Sequence, residues 1–266
     1  EALGAKGITH PFPIQALTLP VALEGQDIIG QAKTGTGKTL GFGIPLLMDT
    51  LGPGEEGWDE DPASGSPQAL VILPTRELAK QVAEELSTAA AKRTVRIVQV
   101  YGGRAYEPQI EDLERGAEVV VGTPGRLIDL MERGVLDLAH VTTVVLDEAD
   151  EMLDLGFLPD VEKILARTRA DRHTMLFSAT MPGAVVALAR RYMTRPTHIR
   201  AQDPGDEGMT VQTVQQVVYR THSMNKVEVV SRILQAEGRG RTIIFARTKR
   251  TAARVADDLR ARGFAT

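Results

Sequence analysis

The 266-residue sequence predicts an α/β protein built on a doubly wound parallel sheet. Short apolar runs rich in β-branched residues alternate with stretches of helical periodicity. Apolar strands between helices indicate a parallel sheet covered on both faces. The composition, 42% hydrophobic and 25% charged, is that of a core-forming globular protein.

The predicted elements alternate along most of the chain. Strands are predicted at residues 27–30, 69–73, 95–100, 118–121, 143–146, 174–177 and 198–200. Helices are predicted at residues 40–48, 76–91, 107–115, 125–133, 158–167 and 183–192. We expect residues that follow the strands to meet at one edge of the sheet, where such folds bind ligands.

Two segments interrupt this alternation. Residues 52–68, rich in Gly, Pro, Ser and acids, predict a mobile surface loop that can be deleted with little effect on folding. Residues 201–209 predict a linker. The pattern then restarts with strands at 213–220 and 242–246 and helices at 225–237 and 250–262. We therefore expect a first domain over 1–202, a linker over 203–210 and the beginning of a second domain over 211–266.

Composition excludes several functional classes. The chain has no cysteine, which rules out disulfides and thiol catalysis and fits a reducing, cytoplasmic location. No histidine pair has metal-ligand spacing, and we find no signal peptide or membrane-length apolar run. The net charge is −4, but residues 52–68 hold five acids and no base, so charge neither supports nor excludes a nucleic-acid partner.

A phosphate-binding loop is predicted at residues 32–39 (AKTGTGKT), between a strand and a helix. Its glycines let successive backbone N–H groups turn toward phosphate oxygens. Lys38 would supply a charge at the β- and γ-phosphates, and Thr39 a hydroxyl for Mg²⁺. The helix that follows presents its N-terminal dipole to the anion.

A second site is predicted where the apolar run 144–146 ends in Asp147 and Glu148. Acids after a strand lie at the ligand-binding edge of a doubly wound sheet. Asp147 would hold Mg²⁺, directly or through water, and Glu148 would orient and deprotonate an attacking water. One acid for the metal and one for water is what nucleotide hydrolysis requires. Lys38, Asp147 and Glu148 are therefore the predicted catalytic residues.

These motifs, with others in order along the chain, resemble those of DEAD-box ATP-dependent RNA helicases. Residues 7–15 (GITHPFPIQ) resemble the adenine-reading Q motif, and 147–150 spell DEAD. Residues 74–79, 102–103 and 123–126 resemble the RNA-backbone motifs, and 178–180 the motif that couples hydrolysis to RNA. Residues 243–245 resemble the first motif of the family's second domain. The resemblance implies RecA-like domains and ATP-driven separation of short RNA duplexes.

The resemblance also implies roles for individual residues. The ATP-binding set is Gln15, Thr34, Gly35, Thr36, Gly37, Lys38 and Thr39, with Thr39 and Asp147 on Mg²⁺. The RNA-binding set is Pro74, Thr75, Arg76, Gly102, Gly103, Thr123, Pro124, Gly125 and Arg126. The coupling set is Asp150, Ser178 and Thr180. We expect RNA contacts to the backbone and not to base sequence, because no aromatic platform interleaves these sites.

The sequence departs from the family pattern in two respects. Ile8 replaces the usual aromatic residue of the Q motif, and Phe12 replaces the usual threonine. The late motifs of the second domain, which carry the arginine fingers, do not occur. We therefore expect residues 1–266 to bind ATP with little RNA-stimulated hydrolysis. The alternative is an ATP- and RNA-binding clamp without productive turnover.

Two other interpretations are less well supported. An unrelated P-loop hydrolase such as a GTPase would carry a guanine-reading Asn-Lys-x-Asp element, and none occurs. A DNA translocase is disfavoured because the Q motif and residues 147–150 together resemble RNA helicases.

Overall fold

The computed structural model describes residues 2–201, 217–238 and 240–266. The chain divides into two compact units, Glu1–Pro204 and Gly205–Thr266. Among the described residues, no helix is long and apolar enough to cross a membrane.

The first unit is a parallel sheet of seven strands in the order β3-β4-β2-β5-β6-β1-β7. The strands are β1 Ile28–Gln31, β2 Ala69–Ile72, β3 Ile97–Val100, β4 Val119–Gly122, β5 Thr143–Leu146, β6 His173–Ser178 and β7 Thr197–Arg200. Its helices are α1 Ala2–Ala5, α2 Pro13–Ala22, α3 Lys38–Met48, α4 Arg76–Ala89, α5 Glu107–Glu114, α6 Pro124–Glu132, α7 Ala149–Asp154, α8 Leu158–Leu165 and α9 Gly183–Tyr192. The predicted doubly wound parallel α/β fold is confirmed.

The strands are apolar because helices cover both faces of the sheet. Every residue of β2, β4 and β5 is buried. Along β2, Leu70 and Ile72 belong to the core on one face, and Ala69 and Val71 to the core on the other. This alternation follows from the two-residue period of a strand. Two continuous cores therefore hold the central strands, and with them the loops that follow, in fixed register.

Strand order sets the arrangement of the functional loops. β6 pairs with β1 on one side and with β5 on the other. The loop after β1 and the acidic residues after β5 therefore flank the carboxyl end of β6, where Ser178 lies. Parallel pairing brings together segments that lie more than a hundred residues apart in the chain.

Residues 52–68 form a loop that contains neither helix nor strand, as predicted. Arg93 donates to the Leu47 carbonyl, to the Thr50 carbonyl at 2.7 Å and to both carboxylate oxygens of Glu55. Trp58 is half-buried, and its ring lies 5.8 Å from the Arg96 guanidinium carbon. The composition of this segment indicates exposure, but arginines from elsewhere in the chain bind it to the domain.

The second unit, in its described residues, contains two helices, α10 Lys226–Leu234 and α11 Lys249–Arg260. A 3-10 turn, Ser223–Asn225, precedes α10. The helices bury Leu234 and Leu259, and Thr248 caps α11 by accepting from the Thr251 N–H at 3.1 Å.

The predicted strands of the second unit are not found in its described residues. Residues 217–220 and 242–246 form no strand, while residues 213–216 and the predicted linker 203–210 lie outside the described ranges. A strand requires hydrogen-bonding partners from neighbouring strands, which no local pattern supplies. Ile243 and Phe245 are accordingly exposed.

Candidate nucleotide and RNA site

The P-loop forms between β1 and α3, as predicted. Gly35 and Gly37 have φ values of +83° and +77°, which side chains other than glycine adopt only with strain. Gly37 is the residue that precedes α3, so the helix starts at Lys38 with its N–H groups facing the loop. Lys38 and Thr39 are buried. The loop therefore has the conformation that binds an anion at a helix N-terminus.

Lys38 meets both predicted catalytic acids. Its Nζ lies 2.7 Å from Glu148 Oε1 and 3.8 Å from Asp147 Oδ1. Thr34 donates its hydroxyl to the same Glu148 oxygen at 3.0 Å. All three charged groups are almost fully buried, so the cation offsets the cost of placing two carboxylates side by side. The P-loop and the acidic segment form one site.

The environment of Asp147 raises its pKa to about 7. Burial is the main cause, Glu148 adds to the rise, and Lys38 opposes it. Asp147 accepts a hydrogen bond from the Glu148 backbone N–H at 3.0 Å. Additional positive charge at this carboxylate would favour its ionised form.

Glu148 has a strained backbone at the junction of β5 and α7. Its φ and ψ are both 52°, in the left-handed region that residues other than glycine rarely adopt. Such a conformation costs about 1–2 kcal/mol and persists where the surrounding contacts maintain it. The hydrogen bonds from Lys38 and Thr34 are contacts of this kind.

The predicted coupling residues form one hydrogen-bonded network. Thr180 donates its backbone N–H and its hydroxyl to Asp150 Oδ2 at 2.8 and 2.7 Å. The Asp150 N–H donates to Ser178 Oγ at 3.1 Å, and Ser178 Oγ donates to the Thr180 carbonyl at 2.7 Å. Burial acts to raise the pKa of Asp150, but the hydrogen bonds from Thr180 and Ser178 outweigh it and lower that pKa. The network links the end of β6 to the start of α7.

The Gln15 side chain bridges the segment before α2 and the P-loop. Its Oε1 accepts from the Phe12 N–H at 3.0 Å, and its Nε2 donates to the Gly37 carbonyl at 2.7 Å. The amide retains one N–H and one carbonyl lone pair for a ligand. A cavity of about 510 Å³ opens beside it, with Phe12, Gly37 and Leu40 among its lining residues.

A second cavity, of about 380 Å³, brings together residues predicted to bind RNA. It lies at the carboxyl ends of the strands, and its lining residues are Pro74, Arg76, Gly102, Thr123, Gly125, Arg126, Asp129 and Phe157. Among the other predicted residues, Thr75 caps α4 by accepting from the Leu78 N–H at 3.4 Å, and Pro124 is the first residue of α6. Gly103, beside Gly102, has a φ of +79°.

Arg126 is engaged by the protein itself. Its guanidinium lies 3.8 Å from the centre of the Tyr106 ring, and it donates through two nitrogens to the Arg104 carbonyl at 3.1 Å. Gln109 is fully buried, and its side chain bonds the Tyr101 N–H at 3.0 Å and the Ala105 carbonyl at 2.8 Å. These side chains hold the loop that contains Gly102 and Gly103.

The sequence interpretation missed Tyr106 and Gln109 as residues that hold this loop, and no local signal identified them. Phe157 was not predicted as a site residue, and it lines the cavity of about 380 Å³ together with residues predicted to bind RNA. Asp27 was also missed: its buried carboxylate accepts from the Thr174 N–H at 2.7 Å and the Thr194 N–H at 2.6 Å. A buried carboxylate of this kind joins β1 to neighbouring segments.

A sheet of this order, with a P-loop after β1 and paired acids after β5, defines a RecA-like P-loop nucleotide-binding protein. The model of the DEAD/DEAH box helicase family matches residues 12–188. The chain belongs to this family.

Relatives of known name support this assignment. The chain is 43% identical over 265 residues to the DEAD-box ATP-dependent RNA helicase CshA of Geobacillus kaustophilus, covering all of this chain and 54% of the relative. It is 41% identical over 265 residues to the Bacillus subtilis CshA, covering all of this chain and 51% of that protein. The chain therefore spans about half the length of the curated relatives it matches.

Two solved structures support the same family assignment. A DEAD box protein from the hyperthermophile Methanococcus jannaschii matches with a TM-score of 0.69 at 36% identity, over 99% of this chain and 67% of the other. A hypothetical ATP-dependent RNA helicase from Sulfolobus tokodaii matches with a TM-score of 0.66 at 30% identity, over 96% of this chain and 70% of the other.

Proposed function

We propose that this chain binds ATP at the P-loop and contributes to RNA-stimulated ATP hydrolysis and local RNA duplex separation. The observation that carries the proposal is the convergence of Lys38 and Thr34 on Glu148, with Asp147 beside them. Lys38 and the N-terminus of α3 would bind the β- and γ-phosphates. The free N–H and lone pair of Gln15 would read the adenine edge. The relatives' printed names support the same activity.

The residues present fit a magnesium ion. Mg²⁺ is usually bound through one or two carboxylates together with waters and substrate phosphates. Asp147 and the Thr39 hydroxyl provide such oxygens beside the P-loop, and Asp147 lacks a full counter-charge. In the described residues no group of three or more His, Cys, Asp or Glu is placed to hold a metal ion by itself. When bound, the ion would neutralise phosphate charge.

Hydrolysis requires Glu148 to act as a base. In the described structure its Oε1 accepts from Lys38 and Thr34. Phosphate oxygens would compete for the Lys38 ammonium and leave Glu148 Oε1 able to accept a proton from water. The water oxygen would then attack the γ-phosphorus, the bond to the β-phosphate oxygen would break, and ADP would leave.

RNA would bind along the cavity that contains Gly102, Thr123 and Gly125. Backbone N–H groups and the Thr123 hydroxyl suit phosphate oxygens, so binding would not depend on base sequence. Arg126 would act by holding the Arg104 carbonyl and hence the Gly102 loop, because its guanidinium is already engaged. The Asp150–Ser178–Thr180 network would couple the two sites.

The domain organisation is part of the proposal. Residues 1–202 would be the ATP-binding domain, 203–210 a linker, and 211–266 the N-terminal part of a second RecA-like domain. The division of the chain into units at Pro204 and Gly205 supports this boundary.

A second candidate is a clamp that binds ATP and RNA without productive turnover. The observation that favours it is the engagement of Glu148, whose Oε1 accepts hydrogen bonds from both Lys38 and Thr34. If these bonds persisted with ATP bound, Glu148 would not take a proton from water, and ATP would stay bound without hydrolysis.

Steady-state phosphate release, with and without single-stranded RNA, distinguishes these candidates. The measurement uses the 266-residue chain and its Glu148→Gln variant, with ATP binding determined separately. An RNA-stimulated ATPase would release phosphate faster with RNA, and Glu148→Gln would bind ATP but release none. ATP and RNA binding without RNA-stimulated release would support the clamp. Absence of ATP binding would refute both.

A further inference from the structure

Phe12 presents an exposed aromatic ring beside the P-loop. Phe12 is 57% exposed, although it lies in the well-packed first unit, where Phe42 and Phe177 are fully buried. A methyl group placed on Gly37 would lie only 2.6 Å from Phe12 Cδ2, so the ring packs against the P-loop backbone. The Phe12 N–H donates to Gln15 Oε1 at 3.0 Å. The exposed ring is therefore held in a defined position.

The surroundings of the ring suit a flat heteroaromatic group. The cavity of about 510 Å³ is within the size range of small-molecule sites, and its walls include Leu3, Ile8 and Leu40. Gln15 lines the same cavity and has hydrogen-bonding capacity that the protein does not fill. An aromatic face and a free amide edge thus border one space next to the phosphate-binding loop.

We propose that Phe12 is a specificity-determining residue that stacks on the base of the bound nucleotide while Gln15 reads its edge. This inference rests on the proposed ATP-binding function. Stacking of a base on an aromatic side chain typically changes affinity by about five- to a hundredfold when the side chain is truncated. Stacking acts only on the base, whereas the P-loop acts only on the phosphates. Loss of the ring should therefore weaken the binding of nucleotides but leave the binding of phosphate chains without a base unchanged.

The test compares binding of Mg-ATP and of magnesium tripolyphosphate by the 266-residue chain and its Phe12→Leu and Phe12→Tyr variants. Leucine keeps apolar contact with Gly37 but removes the aromatic face, and tyrosine keeps both. Phe12→Leu should lower the affinity for ATP about tenfold and leave the affinity for tripolyphosphate within about twofold of the parent value. Phe12→Tyr should restore ATP affinity. Because Phe12 is mostly exposed, both variants should fold, which circular dichroism would verify.

Each other result has a definite meaning. Equal weakening of ATP and tripolyphosphate by Phe12→Leu would show that Phe12 only shapes the P-loop, and would overturn the stacking role. Unchanged ATP affinity in Phe12→Leu would overturn it as well, while leaving the proposed ATP-binding function intact. A parent chain that binds neither ATP nor tripolyphosphate would refute the proposed function and the stacking role together.

Discussion

Replacing Arg93 with Gln should destabilise the first unit, because this side chain joins residues 52–68 to the end of α3. Arg93 bonds the Leu47 and Thr50 carbonyls and both oxygens of Glu55. Two bonds to neutral carbonyls contribute about 1 kcal/mol each. The ion pair, whose side chains are 28% and 22% exposed, adds at most about 1 kcal/mol. We expect a loss of about 2–3 kcal/mol, or about 5–10 °C in melting temperature.

Urea denaturation followed by fluorescence would measure this loss, because Trp58 is the only tryptophan and lies within the affected segment. Glu55→Gln keeps a neutral hydrogen bond and should cost only about 1 kcal/mol. Lys92→Gln is the matched control, since Lys92 is an exposed neighbour of the same charge. If Arg93→Gln and Lys92→Gln unfold at the same urea concentration, Arg93 does not stabilise the first unit by binding residues 52–68, and the reasoning is refuted.

The stabilisation that the Glu55 carboxylate provides through Arg93 should also depend on pH. The hydrogen bond from Arg93 holds the pKa of Glu55 below its ordinary value of 4.5, against a smaller opposing effect of burial. A carboxyl whose folded-state pKa is lowered stabilises the protein above its unfolded pKa and loses that contribution as pH falls through the folded value. The difference between the parent and Glu55→Gln should therefore be full at neutral pH and shrink below about pH 4.5. A difference that grows on acidification would contradict this reasoning.

Two further predictions concern the nucleotide site. Thr180→Val removes the hydroxyl donated to Asp150 and, in a protein with a complete second domain, should reduce RNA stimulation of phosphate release about tenfold without changing ATP affinity. Thr168→Val should leave both the RNA stimulation and the ATP affinity unchanged. An unchanged stimulation would remove Thr180 from the coupling network. Lys38→Ala should weaken ATP binding about tenfold or more, as measured by titration calorimetry, and exposed Lys163→Ala should not. Equal affinities for these two lysine variants would refute phosphate binding by Lys38.

The sequence determined the alternation of strands and helices and the positions of the two central motifs. Apolar runs buried on both faces require a parallel sheet, and parallel strands place their following loops at one edge. Lys38 and Glu148, 110 residues apart, could therefore be expected to meet, and they lie 2.7 Å apart. Local patterns were sufficient to predict the strands, the helices and the two motifs, because burial and backbone conformation are encoded over a few residues.

Only the tertiary structure decided which side chains were already engaged. Arg126 looked like a free phosphate ligand, but Tyr106 and the Arg104 carbonyl hold it. The acidic segment 52–68 looked loose, yet Arg93, 38 residues beyond Glu55, fastens it. Residues 242–246 have strand-forming composition but form no strand, because a strand depends on partners elsewhere in the fold. Hydrogen bonds and stacking across large sequence separations exist only once the core has fixed the positions of both partners.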